Sequence, residues 1–359
     1  MTDIPASRIL DGHNDTLLRL ILGRKNELGG EDRSFFTRSA LGHIDLPRAR
    51  EGGLGGGFFA VYIPPPLNKR TGGGRIATAN GYEIPPIAPI ETDYAYQVAH
   101  EFIEELNAID AASEGQVQVV RTVETLTTCL RDEVLAAILH FEGAEPLDAD
   151  LKALPEFYDA GLRSLGITWS RPNAFGHGVP FRYPHSPDTG PGLTDAGQAL
   201  VKACNQLGIM LDLAHLNERG FWDVANRSDA PLVVTHAGAH TLCPSSRNLT
   251  DQQLDAIQAS GGVVGVTFAV YDLRADGREE PDTPITEIVR HVRYIADRIG
   301  IEHVALGSDF DGTLIPKPLG DAAGLPQLVQ ALRDAGFDDD ALRQVTHANW
   351  LRVLDATWK

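Results

Sequence analysis

The stretch "LAAILHFEG" (135–143) opens with five apolar residues and ends on His140, Glu142 and a glycine. A near-continuous apolar run of this length, without strict alternation, is the pattern of a parallel strand covered on both sides. Seven further runs read as strands: "RILDGH" (8–13), "GGFFAVYI" (56–63), "LRSLGITWS" (162–170), "GIMLDLAH" (208–215), "PLVVTHAG" (231–238), "GVVGVTFAV" (262–270) and "HVALGSDF" (303–310). Helical patterns separate most of them. They cover 93–109, 194–208, 250–262 and 283–300, with further helices expected over 217–227 and 324–357. Thr194, Thr250 and Thr283 read as N-caps, Pro284 as a first helical residue, and Gly208 and Gly300 as terminators.

Eight strands alternating with helices predict an α/β fold, a TIM-like (β/α)8 barrel. No linker or internal repeat divides the chain, so residues 1–359 are expected to form a single domain. The competing fold is a doubly wound open sheet. No Gly-rich dinucleotide fingerprint follows a strand, and "GGLGGG" (52–57) precedes one instead. The stretch 64–89 is rich in Pro and Gly and follows the second strand. A loop of that length is often functional.

The reactive residues fall at the ends of the runs. The first, in "ILDGHNDTLL", brings Asp11, His13 and Asp15 at spacings of two, which an extended strand turns to one side. Glu142 ends the third run, His215 the fifth, His236 the sixth and Asp309 the eighth. In a barrel these carboxyl ends converge on one rim, where active sites lie. Buried ionisable groups in such number need partners or a metal. Histidine nitrogens with carboxylate oxygens suit Zn²⁺. Two ions about 3.5–4 Å apart need a shared ligand, and Glu142 is the natural bridge. A carboxylated lysine is excluded as that bridge, because no strand end carries a lysine. His140 is assigned to the barrel wall, on the reading that it points away from Glu142. His240 is assigned to the surface or the surroundings of the site. His43, His100, His185, His291, His303 and His347 are given structural roles.

The bulk composition fits a globular enzyme. The chain has 359 residues, 43% hydrophobic and 22% charged, with a net charge of −18. That surface repels a phosphate backbone, so nucleic acid is not an expected partner. No apolar run reaches membrane-spanning length, and "MTDIPASRIL" has no basic segment before an apolar one. Cys129, Cys204 and Cys243 are too sparse for a disulfide framework and read as buried free thiols. A cytoplasmic location and a homodimeric assembly are expected.

The motifs "DGHND", "FEGAE", "DLAH", "THAGAH", "SSRN" and "GSDFDG" stand in the order and spacing of the renal (membrane) dipeptidase family. The chain resembles these metallopeptidases of family M19, in the amidohydrolase superfamily, from residue 8 to the "NWLRVL" near its end. The resemblance implies a distorted (β/α)8 barrel of the metal-dependent hydrolase type and two divalent metal ions, most simply Zn²⁺. It implies that His13 and Asp15 hold one ion, that Glu142 bridges, and that His215 and His236 hold the other. Asp309 would transfer protons. Arg247, with Asn248 beside it, would hold the substrate's C-terminal carboxylate. The implied substrate is a dipeptide, including one with a D-residue at its C-terminal position, cut by water activated between the metals.

One position departs from the family. Where many members carry a histidine that polarises the scissile carbonyl, this chain reads "GITWSRPNAFGHG", with Trp169 in that place. An indole N–H donates but carries no charge. Either Trp169 donates, or His177 fills in, or the substrate differs. The alternatives are another hydrolase of the superfamily (an N-acyl amino acid hydrolase, a lactonase or a deaminase) and a metal-binding barrel without catalysis. The acid in "GSDFDG" argues against the last, since pure binding needs no proton shuttle. No "GxSxG" elbow occurs.

Overall fold

A computed structural model of the chain describes residues 4–27, 32–66 and 74–359. Eight parallel strands follow one another around a nearly closed barrel. They are β1 (Ile9–Asn14), β2 (Leu54–Val61), β3 (Leu135–Glu142), β4 (Leu162–Gly166), β5 (Met210–Asp212), β6 (Val233–Ala237), β7 (Val263–Val266) and β8 (Val304–Leu306). A bridge between Asn14 and Phe310 returns the chain beyond β8 to β1. Each predicted run overlaps one of these strands, with β1 ending one residue later and β2 starting two residues earlier than expected. Strand order follows chain order around the ring, which excludes the doubly wound alternative, where the order reverses.

The side-chain period of two sorts β3 into layers. Leu135, Ala137, Leu139 and Phe141 pack outward against the helices. Ala136 and Ile138 join an inner cluster with Leu10, Phe58, Met210, Val233, Val263 and Ala305. Trp350, from the helix Asn349–Thr357, completes that cluster and donates from its indole to the Leu306 carbonyl at 3.0 Å. Truncating so large a buried aromatic costs about 3–5 kcal/mol. His140 follows Ile138 by two and precedes Glu142 by two, so it shares their face. It does not sit in the barrel wall as expected. It lies inside, with its ring 5.4 Å from that of His13 and its Nδ1 2.9 Å from Ser164 Oγ.

Local signals account for several helix ends. Thr194 accepts from Gly197 N at the start of Asp195–Leu207, which Gly208 ends at φ 73°. Thr250 and Gln253 form a capping box on Asp251–Ala259. One start differs from expectation. The helix Thr286–Ile299 begins after Pro284, because the Thr283 hydroxyl donates to Glu280 O at 2.6 Å in a preceding turn. The stretch 324–357 divides into Leu325–Asp334, Asp339–Arg343 and Asn349–Thr357, with a π-helical turn over Gln344–Ala348. A short strand not read from sequence, Val117–Val119, pairs with the start of β3.

The long stretch after β2 builds a small sheet. Residues 67–73 of it lie outside the described residues. Ile76–Ala77 pairs with Tyr82–Glu83, which pairs with Arg182–Tyr183 from the loop after β4, all antiparallel. The Arg75 guanidinium lies 3.6 Å from the centre of the Tyr82 ring and 5.0 Å from that of Tyr271.

Candidate metal centre

The carboxyl ends of the strands bring the expected residues together. His13 Nε2 lies 3.4 Å from Asp15 Oδ2 and 3.7 Å from Glu142 Oε1. The same Glu142 oxygen is 3.1 Å from His215 Nε2 and 3.8 Å from His236 Nε2. Among the described residues, two sets of donor atoms are close enough to hold a cation: His13, Glu142 and His236, and His13, Asp15 and Asp309. His215 and Asp309 reach the site from left-handed backbone, at φ 62° and φ 58°. Non-glycine residues held there concentrate at functional sites.

The hydrogen bonds decide which imidazole atoms are free. Thr235 Oγ1 gives its one proton to Asp212 Oδ2 at 2.7 Å, so it can only accept from His236 Nδ1 at 2.9 Å. Neutral His236 then carries its proton on Nδ1 and a bare lone pair on Nε2. His215 Nδ1 is likewise engaged, 2.7 Å from Ser170 Oγ. The two Nε2 atoms meet at 2.9 Å. Two lone pairs at that distance repel unless a proton or a cation joins them. Both ring nitrogens of buried His13 lack a hydrogen-bond partner. Buried polar atoms are rarely left so. These donors fit a divalent ion with nitrogen and oxygen ligands.

The electrostatics agree. Burial holds the His215 and His236 imidazoles well below the usual histidine range, helped by the positive charges of Arg247 and His13. They therefore offer lone pairs at neutral pH. Burial pushes Glu142 well above the usual carboxylate range, and the Asp15 charge adds to it. Burial opposes the charge of His13, yet Glu142, Asp15 and Asp309 together raise it to about 10. In the metal-free chain a proton on His13 offsets the clustered carboxylates. A metal ion would replace that proton.

Neighbouring acids take separate roles. Burial, with the Asp15 charge, raises Asp309 to about 7 against the opposing charges of His13 and Arg247. Asp309 lines the cavity over the cluster. Asp311, two residues on, pairs with Arg33 at 3.3 Å and accepts from His43 N at 2.6 Å. Asp11 does not join His13 and Asp15. The strand pairing shifts register between Asp11 and Asn14, and Asp11 instead accepts from Ser308 N and Oγ at 2.6 and 2.7 Å. It ties β1 to the chain beyond β8.

A cavity of about 180 Å³ opens over the cluster, lined among others by Tyr62, Trp169, Phe181, Arg247, Tyr271 and Asp272. Arg247 is 7% exposed and donates from Nη2 to His236 O at 3.3 Å. Its guanidinium thus stands beside the backbone of His236. Asn248 does not face the cavity. Its amide is spent on backbone, accepting from Gly238 N at 2.7 Å and donating to Cys243 O and Asp272 O. It braces the loop that carries Arg247. Trp169 lines the cavity, with its ring 5.7 Å from that of His215. His177 is not among the lining residues, and its Nδ1 lies 3.4 Å from Gly192 O. His240 Nε2 lies 3.1 Å from His185 O in a loop contact. Sequence reasoning missed Tyr62, Tyr271 and Asp272. Only their places just past the ends of β2 and β7 could have pointed to them.

Comparison with known proteins is consistent with this geometry. The family model "Membrane dipeptidase (Peptidase family M19)" matches residues 4–359. The chain is similar to a crystal structure of a metallo peptidase from Rhodobacter sphaeroides, liganded with a phosphinate mimic of the dipeptide L-Ala-D-Ala. The identity is 45%, the TM-score 0.91, and the match covers 99% of this chain and 100% of that one. The crystal structure of the dipeptidase AC, a metallo peptidase of family M19, is 46% identical with a TM-score of 0.90, covering 99% of each chain. An uncharacterized protein in the pqqA 5' region of Klebsiella pneumoniae is 50% identical over 254 residues, 71% of this chain and 94% of that protein.

Proposed function

The chain belongs to the membrane dipeptidase family, peptidase family M19, and from that membership we propose that it cleaves small dipeptides using two zinc ions. It is a metal-dependent dipeptidase by family, and no helix among the described residues is long and apolar enough to cross a membrane. His13 and Asp15 would hold one ion, His215 and His236 the other, and Glu142 would bridge. The observation that carries this reading is the convergence of three imidazole nitrogens within 3.8 Å of one Glu142 oxygen. Bound there, the ions would supply Lewis acidity at the scissile carbonyl and lower the pKa of a water. The whole chain would serve this one catalytic domain.

The protein's own residues do the rest. Asp309, which lines the cavity, would take a proton from water and give it to the leaving amine. Arg247 presents its fork to the substrate's carboxylate. Trp169 offers a neutral indole donor from the strand-4 side. The cavity of about 180 Å³ is small beside the roughly 300–1,000 Å³ of pockets for drug-sized ligands, which favours a dipeptide over a longer peptide. The phosphinate bound by the Rhodobacter sphaeroides relative mimics the dipeptide L-Ala-D-Ala, which supports a D-residue at the C-terminal position. Metal-loaded protein assayed on L,L- and L,D-dipeptides and on N-acyl amino acids tests the reading. Cleavage of N-acyl amino acids alone, or deamination, would replace it with another reaction of the superfamily.

A further inference from the structure

We propose that the buried Arg171–Glu145 pair is a positioning device: it fixes Tyr62 and Trp169 as one wall of the cavity and so sets which N-terminal side chains the substrate can carry. The proposal rests on the dipeptidase reading above.

Both side chains are fully buried, and Arg171 Nε donates to Glu145 Oε1 at 2.7 Å. A buried ion pair is often no more stabilising than apolar residues of the same volume. Stability is therefore a weak account of its presence. Its connections give a better one. Glu145 lies three residues after Glu142, in the loop after β3. Arg171 lies two residues after Trp169, in the loop after β4. Arg171 Nη2 donates to Ile63 O at 2.9 Å, in the segment after β2. One guanidinium thus ties together three consecutive loops of the rim.

The same guanidinium lies 5.0 Å from the Trp169 ring centre and 5.4 Å from that of Tyr62. Those rings meet edge to face at 5.1 Å and both line the cavity. The turn after β3 is shaped around the pair: Gly143 has φ 119°, and a Cβ there would collide with Glu145 Oε2. Glu145 Oε2 and Arg171 Nη1 have no hydrogen-bond partner, so the bonds from Nε and Nη2 position the pair.

The placement points to one end of the substrate. β2 and β6 lie opposite each other in an eight-strand ring, so Tyr62 stands across the cavity from Arg247, which follows β6. With the C-terminal carboxylate on Arg247, the Tyr62–Trp169 wall meets the N-terminal side chain.

The test uses two variants of the full-length, metal-loaded protein: Arg171→Lys, and the double variant Glu145→Leu with Arg171→Met. Lysine keeps the charge but not the fork. The apolar pair keeps the volume without a buried charge. Kinetics are measured on Gly-, Ala-, Leu- and Phe-Xaa dipeptides and, separately, on Ala-Xaa dipeptides. The expected result is a shift of about 10-fold or more in the Phe-to-Gly ratio of KM at the N-terminal position, as misplacement of about an ångström produces. The kcat values, the C-terminal ranking and the metal content should stay near those of the parent. Unchanged N-terminal ranking in a folded variant overturns the proposal. So does a uniform loss of kcat, or failure of both variants to fold, which would make the pair a stability element. If the parent itself cleaves no dipeptide, the dipeptidase reading fails. The pair is still tested by the ¹⁵N–¹H signal of the Trp169 indole, which must move in both variants.

Discussion

The Nε2 atoms of His215 and His236 stand 2.9 Å apart, and Thr235 fixes the lone pair of the second toward the first. The arrangement needs a proton between the two atoms in the empty protein, and a cation would take that proton's place. Its support lies in Asp212, which accepts from Thr235 N at 2.8 Å and from Thr235 Oγ1 at 2.7 Å. Removing that support should loosen the metal without unfolding the chain. Thr235→Val is expected to lower metal affinity by about 10–100-fold, measured by competition with a chelating dye.

The two aspartates of "GSDFDG" should separate cleanly. Asp309→Asn should keep its metal and lose kcat by a factor on the order of 10² or more, as for a lost general base. Asp311→Asn strands a largely buried Arg33. It should lower stability by about 3–5 kcal/mol, read by denaturant unfolding. Full activity in Asp309→Asn would remove it from the proton path.

Arg247 predicts a demand for a free carboxylate. Amidating the C-terminus of a good substrate removes a charge-assisted hydrogen bond of about 1.5–3 kcal/mol. The kcat/KM should fall by roughly 10–100-fold. Equal rates on acid and amide would place Arg247 outside substrate recognition.

His13 predicts a pH dependence that metal abolishes. Its folded pKa is raised from 6.5 to about 10. Its contribution to stability is therefore complete below about pH 6.5 and lost as pH rises through about 10. The melting temperature of metal-free protein should fall over that window because of this group. Metal-loaded protein should lack this component, because the ligating imidazole carries no proton to lose. Parallel slopes with and without metal would contradict the assignment.

Trp169 lines the cavity beside His215. Trp169→His should change which dipeptides are cut while nearly keeping the melting temperature. An unchanged ranking with a large drop in melting temperature would make it a packing residue.

The barrel was legible because parallel strands buried on both faces must be apolar throughout, and eight such runs stand out. The residues of the centre were legible because a polar group ending an apolar run is conspicuous: His13, Glu142, His215 and His236 each do so. What failed depended on local geometry. His140 was misplaced by an error of parity that the period of two corrects. Asp11 was grouped with His13 because a register shift in β1 leaves no mark on the sequence. Asn248 looked like a binding residue from its neighbour, yet its amide is consumed by three backbone partners. Asp272 was missed because a single acid in "FAVYDL" carries no pattern.

The most direct test is a titration of metal-free protein with Zn²⁺ while hydrolysis of L-Ala-D-Ala and of L-Ala-L-Ala is followed. The five-ligand arrangement around Glu142 predicts that activity rises and levels off at two equivalents per chain. A plateau at one equivalent, or dipeptide hydrolysis that is complete without added metal in chelator-treated protein, would contradict the two-ion centre.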